Sequence, residues 1–228
     1  MSFIPPSLLD WSPALRPGPV TLRGRNVTLE PLSAERHTAA LWEAMLSHED
    51  LWTWMADSPS TSQAELREAL AQKEADNRAV FLAIVPAATG LAAGYASYMR
   101  IEPAHGVVEV GNVLLAPALQ RTTAATEAMY LMASHAFDFL GYRRYEWKCD
   151  AENLPSRRAA LRLGFTFEGI FRQHMVIKGK NRDTAWFSLL DREWPARKQA
   201  LEAWLAPANF DSEGRQRQSL SQLQTAGA

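Results

Sequence analysis

The sequence predicts an α/β fold of the α+β kind, a mixed and mostly antiparallel sheet flanked by helices. Three observations predict it. Residues 79–87, 90–103 and 106–117 are apolar or alternating stretches in series, joined by short turns, and so form an antiparallel meander. A helical stretch, 123–140, then links 106–117 to the alternating stretch 143–150, and such a crossover makes those two strands parallel. Two more strand-like stretches, "FTFEGIFRQHMVIKG" and "RDTAWFSLLDREW", form a hairpin turned at Gly179-Lys180-Asn181.

Taken in order, residues 1–20 hold five prolines and no period, and read as an extended arm lying on the domain surface. "NVTLEPL" (26–32) alternates as a first strand. Ser33 opens an amphipathic helix in which Leu41, Trp42 and Met45 sit at helical spacing, and residues 62–76 form a second helix with a charged outer face. Between them "EDLWTWMADSP" is irregular; Trp52 and Trp54 share a face, either packing the first helix on the sheet or walling a substrate site. Residues 79–87 are apolar throughout, as suits a central strand. Gly141 ends the helix 123–140, Gly164 stops a short helix 154–164, and a last helix, 194–205, carries Trp204. From Pro207 the chain is rich in Gln, Ser and charge and reads as disordered. The expected division is an arm (1–20), one domain (21–206) and a polar tail (207–228).

Composition narrows the function. With 24 basic and 25 acidic side chains the net charge is −1, which argues against a dedicated binder of DNA or of an anionic membrane. The single cysteine, Cys149, allows no intramolecular disulfide and reads as a small core residue. No Cys/His group has metal-ligand spacing, so no metal is expected. The N-terminus lacks a basic start and a long apolar run, and no stretch has the ~18 apolar residues of a membrane span. The expectation is a cytoplasmic protein. The Pro-rich arm or the last helix could support a homodimer.

One turn carries chemistry. Gln120, Arg121, Thr122, Thr123, Ala124, Ala125 and Thr126 lie between the strand 106–117 and the helix, where free N–H groups and the helix dipole attract an anion. Phosphate-holding turns of this type usually use glycine, and this one has none. Threonine can keep ordinary φ and offer a hydroxyl to a phosphate or to the helix cap, so the turn can grip a diphosphate provided its φ angles are all negative. The other reading is a capped helix start without a ligand.

That turn within "GNVLLAPALQRTTAATEA", together with "AENLPSRRAALRLGF", "FEGIFRQHMVIKGKNRDTAWFSLL" and "NVTLEPL" with its helix, resembles the GNAT superfamily of acyl-CoA-dependent N-acyltransferases over residues 22–194. The set is nearest to the RimJ/RimL-like branch of ribosomal-protein N-terminal acetyltransferases. The resemblance implies the GNAT acyl-CoA N-acyltransferase fold, with a splayed central strand pair, and acetyl-CoA as co-substrate. The family pattern Gln/Arg-x-x-Gly-x-Gly/Ala falls on Gln120 to Ala125; Ala125 fits, and Thr123 stands where the first glycine usually stands. The pantetheine arm would lie in the splay, paired to the backbone of Leu114 and Leu115 as an added strand. Asn153 and Ser156 match the family's Asn-x-x-Ser. Many members place a tyrosine, the general acid, four residues after that serine; here the position is Ala160.

Acetylation of an amine requires removal of a proton, a donor to the developing oxyanion and a donor to the leaving sulfur. Glu109, a carboxylate in an apolar strand, is the candidate base if it faces the cleft; otherwise it points to solvent. Asn112 shares its side only if a bulge intervenes, which Gly111 makes plausible. Ser156 is the candidate contact to the sulfur or pantetheine, and Asn153 caps its helix and could touch pantetheine. His174 is the one histidine to watch near a substrate. The resemblance, with these residues, implies an acetyl-CoA-dependent N-acetyltransferase acting on a protein N-terminus or a small-molecule amine by direct attack in a ternary complex. The alternative is a non-catalytic acyl-CoA-binding regulatory module.

Overall fold

The computed structural model describes residues 11–226. One eight-stranded sheet runs through it in the order β1-β2-β3-β4-β5-β6-β8-β7, where β1 is Leu22–Arg23, β2 Val27–Pro31, β3 Val80–Pro86, β4 Gly94–Glu102, β5 Val107–Leu115, β6 Arg144–Asp150, β7 Thr166–Ile177 and β8 Lys180–Leu190. Neighbouring strands are antiparallel except β5 and β6, which are parallel. The helices are α1 (Ala34–Met45), α2 (Gln63–Glu74), α3 (Thr123–Ser134), α4 (Leu154–Arg162), α5 (Trp194–Leu205) and α6 (Leu220–Ala226).

β3 shows why an unbroken apolar stretch belongs in the middle. Its residues alternate between two cores: Leu82 and Ile84 join α3 and α5, whereas Phe81 and Ala83 join α1 and α2. Both faces of the strand are therefore buried, and no polar residue is needed. Leu41 and Leu70 are fully buried on the α1/α2 side. Burial of each such side chain is worth about 1.5–3 kcal/mol.

Two details differ from the sequence reading. The hairpin turns at Lys178-Gly179, both with positive φ (49° and 73°), and Ile177 pairs with Lys180. A two-residue loop with that geometry matches the twist of its strands better than the three-residue turn at Gly179-Lys180-Asn181. The tail from Pro207 is also not disordered through residue 226: after a short turn it returns along α5 and ends in α6. Asn209 donates to the carbonyls of Trp204 and Gln218 at 3.1 Å each, and Leu220 is buried in the larger core. A few anchors outweigh a polar composition here. The first half of the expected arm lies outside the described residues. From Trp11 onward the chain follows the domain surface, with Ala14 N–H on Pro103 O at 3.0 Å and Leu15 N–H on Leu140 O at 2.8 Å.

Candidate active site

β5 and β6 pair only from Val107–Arg144 to Val110–Trp147 and then part. The cause is an extra residue in β5. Tyr95 faces Leu114 and Ser97 faces Gly111, so a bulge falls at Asn112–Val113, with Asn112 at φ 49°. A bulge bends its strand and raises its twist, which here swings β5 away from β6. Gly111 leaves room beside it for Met99: a Cβ there would meet Met99 Sδ at 2.4 Å, and the methionine would have to shift.

A cavity of about 190 Å³ occupies the gap. β5 lines it from Glu109 to Val113, β6 from Trp147 to Asp150, and the start of α4 with Asn153 and Ser156. The β7–β8 hairpin contributes His174, Met175, Arg182 and Thr184, and the segment after α1 contributes Trp54 to Ala56. The bulge thus brings Glu109 and Asn112 together, and Glu109 faces the cleft. The tryptophans divide: Trp54 is a cavity wall, whereas Trp52 is buried beneath α1 and α2. Leu114 and Leu115 lie beyond the cavity lining, and so does the turn Gln120 to Thr126.

That turn leaves several of its main-chain donors open. The N–H groups of Arg121, Thr122, Thr123 and Ala124 have no acceptor among the described residues. Thr122 is the N-cap: its hydroxyl accepts from Ala125 N–H at 3.2 Å and donates to Leu119 O at 2.7 Å. Its hydroxyl is therefore used locally. The expectation of negative φ throughout is not met, since Arg121 sits at φ 61°. The left-handed residue precedes the cap, while Thr123 is the first helical residue and adopts ordinary helical backbone. Glycine is thus dispensable at position 123, and the strain, about 1 kcal/mol, falls on Arg121. The start of α3 is held by buried Glu127, whose carboxylate accepts from Arg25 N–H at 2.9 Å and Asn26 N–H at 2.6 Å. Gln120 Nε2 donates to Leu115 O, and Thr126 Oγ1 accepts from Arg162 on α4 at 3.1 Å.

The cavity floor is charged. Glu109 is only 4% exposed, with Arg100 and Lys148 each at 3.0 Å from Oε2. Burial pushes its carboxyl above the ordinary range, and Lys148 and then Arg100 oppose that shift without cancelling it. Arg100 reaches Glu109 through a second bulge, in β4, where it adopts φ 47°. Lys148 bridges Glu109 and Glu146 (2.6 Å) and lies 3.8 Å from the ring centroid of Trp186. His174 Nδ1 pairs with Thr184 Oγ1 at 2.9 Å; burial, aided by the cations Arg100, Arg182 and Lys148, lowers its pKa and keeps it neutral at neutral pH.

The α4 side is neutral. Asn153 Oδ1 caps α4 by accepting from Ser156 N–H at 3.0 Å. Ser156 Oγ accepts from Trp147 Nε1–H at 2.9 Å, and its own hydroxyl faces the neighbouring Cys149 thiol in the cavity lining. Ala160 is fully buried and supplies no hydroxyl. Cys149 also lines the cavity, but burial raises its pKa, so it is a thiol and not a nucleophilic thiolate. Sequence reasoning missed Arg100, Lys148 and Arg182. A signal existed for Lys148: it stands two residues from Glu146 in an alternating strand, and so shares its face.

Residues 26–166 match the acetyltransferase (GNAT) domain family. A crystal structure of a GCN5-related N-acetyltransferase from Brucella melitensis is 49% identical, with a TM-score of 0.94, over 96% of this chain and 100% of that one. The YdaF protein of Bacillus subtilis (strain 168), provisionally named a ribosomal N-acetyltransferase, is 26% identical over 75% of this chain and 92% of its own length. The match to an uncharacterised N-acetyltransferase of Bacillus licheniformis, p20, is 37% identical but spans 31% of this chain and only 39% of that protein.

Proposed function

The chain belongs to the GNAT acetyltransferase family, and on that premise we propose that it transfers the acetyl group of acetyl-CoA to a primary amine held in the β5–β6 cavity, by direct attack in a ternary complex. The observation that carries this reading is the parting of β5 from β6 over a cavity floored by buried Glu109.

Acetyl-CoA supplies a thioester carbonyl activated for attack. The free amides from Arg121 to Ala124 hold its diphosphate at the start of α3. The unpaired edge of β5 beyond Val110, continuing to Leu114 and Leu115, takes the pantetheine as an added strand, and Asn153 closes over it. Glu109 takes the proton that the ammonium must lose. Arg100 and Lys148 offset its burial, so that the carboxylate stays ionised enough to act as a base. Asn112 donates its Nδ2–H to Ser97 Oγ at 3.3 Å, which directs its side-chain oxygen to the amine. As the N–C bond forms and the C–S bond breaks, the Ser156 hydroxyl turns from Cys149 to donate to the departing sulfur. The likeness to YdaF, named a ribosomal N-acetyltransferase, favours a protein over a small molecule as the carrier of the amine.

The test is release of free thiol from acetyl-CoA in the presence of a panel of primary amines, including peptides with free N-termini. Amine-dependent release supports the proposal. Binding of coenzyme A with no release from any amine would instead mark a non-catalytic acyl-CoA-binding module.

A further inference from the structure

Among the described residues, Arg182 is the cation of the cavity without a partner. Arg100 and Lys148 are both paired to Glu109, and Lys148 to Glu146 as well. Arg182 lines the same cavity, yet among the described residues it donates no hydrogen bond, has no carboxylate within ion-pair distance, and its Nε is shut off from solvent. The other carboxylate of the lining, Asp150, is turned to the N–H of Glu152 at 2.9 Å. A guanidinium N–H removed from water without an acceptor is costly, because it cannot deprotonate to escape the penalty.

The sheet's alternation fixes the side from which Arg182 acts. Trp147 reaches α4 through Ser156, so the next residue, Lys148, points to the opposite face. Lys148 lies over Trp186 and pairs with it in register, and Thr184 and Arg182 follow at two-residue steps along β8. Arg182 therefore opens on the face away from α3 and α4. On the reading above, α3 and α4 receive the coenzyme, so the opposite face receives the acceptor. Trp54, Met55 and Ile177 give that side apolar walls.

We propose that the acceptor amine carries a carboxylate, and that Arg182 is the specificity residue that binds it. A guanidinium offers two parallel N–H donors to the two carboxylate oxygens, a match that an ammonium or an amide does not reproduce. The inference rests on the acetyl-transfer reading. The carboxylate could belong to a free amino acid or to a residue near a peptide N-terminus, and matched acceptors separate the two sources.

The experiment compares kcat/KM for thiol release with an amino acid against its carboxamide, and with a peptide bearing Asp against one bearing Asn at its second position. One of the acidic acceptors is expected to lead its amide by about tenfold or more, mainly through KM. In R182M that ratio falls to about one, and R182K recovers part of it. Equal use of acid and amide by the native protein, or an unchanged ratio in R182M, would overturn the inference. If no acceptor releases thiol, the acetyl-transfer reading fails. Thermal denaturation with the same acceptors then decides the carboxylate site separately. A rise in Tm given by the acids alone and absent in R182M supports it; no rise refutes it.

Discussion

Glu109→Gln lowers kcat/KM for acetyl transfer by about 10²–10⁴ and leaves coenzyme A affinity within about twofold of the native value, which is the scale of a lost general base. The substitution keeps the shape of the side chain and removes its ability to take a proton. It lies on the cavity floor, outside the amides at the start of α3, so diphosphate binding should not sense it. The pH profile provides the sharper check. Burial holds the Glu109 carboxyl above the ordinary range, and a base works only when ionised. The native activity therefore falls on the acid side at a pH above that of an ordinary carboxylate, and E109Q loses this limb along with the rate. If the limb persists in E109Q, the base is another group, with neutral His174 the first to examine.

The second large effect concerns stability. Lys148→Met is expected to destabilise the fold by about 1–3 kcal/mol near neutral pH, because it removes the cation shared by two buried carboxylates and leaves each with one arginine, Arg100 on Glu109 and Arg144 on Glu146. The Lys148 side chain is 4% exposed and stands 3.0 Å from Glu109 and 2.6 Å from Glu146. The sign of the pH dependence follows from linkage. Without Lys148 the Glu109 carboxyl is held still further above its unfolded value, so the folded state binds the proton more strongly than the unfolded one. Stability of the variant then rises as pH falls, and its deficit shrinks. Urea denaturation at about pH 8 and about pH 6 checks this. A K148M protein as stable as the native one at both values would show that the network contributes nothing.

Much of this was legible in the sequence. The meander, the crossover at 123–140 and the parallel pairing of β5 with β6 follow from period and loop length, because these are local and the chain has few ways to satisfy them. The bulge beside Gly111 was readable as well, and with it the meeting of Glu109 and Asn112. What escaped depends on tertiary contact. Arg121 takes the left-handed conformation, φ 61°, just before the N-cap of α3, and nothing about an arginine announces that. Arg100 enters the site only because β4 carries its own bulge. Arg182 reads as one more charge on an outer hairpin until the cavity is seen to close over its Nε. The tail, polar in composition, is ordered by Phe210, Leu220 and Leu223 against the large core.

The most direct test of the account is calorimetric titration of coenzyme A into the folded protein, beside pantetheine, which shares its thiol arm and lacks the diphosphate. Four free amides at the start of α3 predict that coenzyme A binds at least about tenfold more tightly, with an affinity that falls as salt is added. Absence of heat with coenzyme A, or equal affinity for pantetheine, would contradict it.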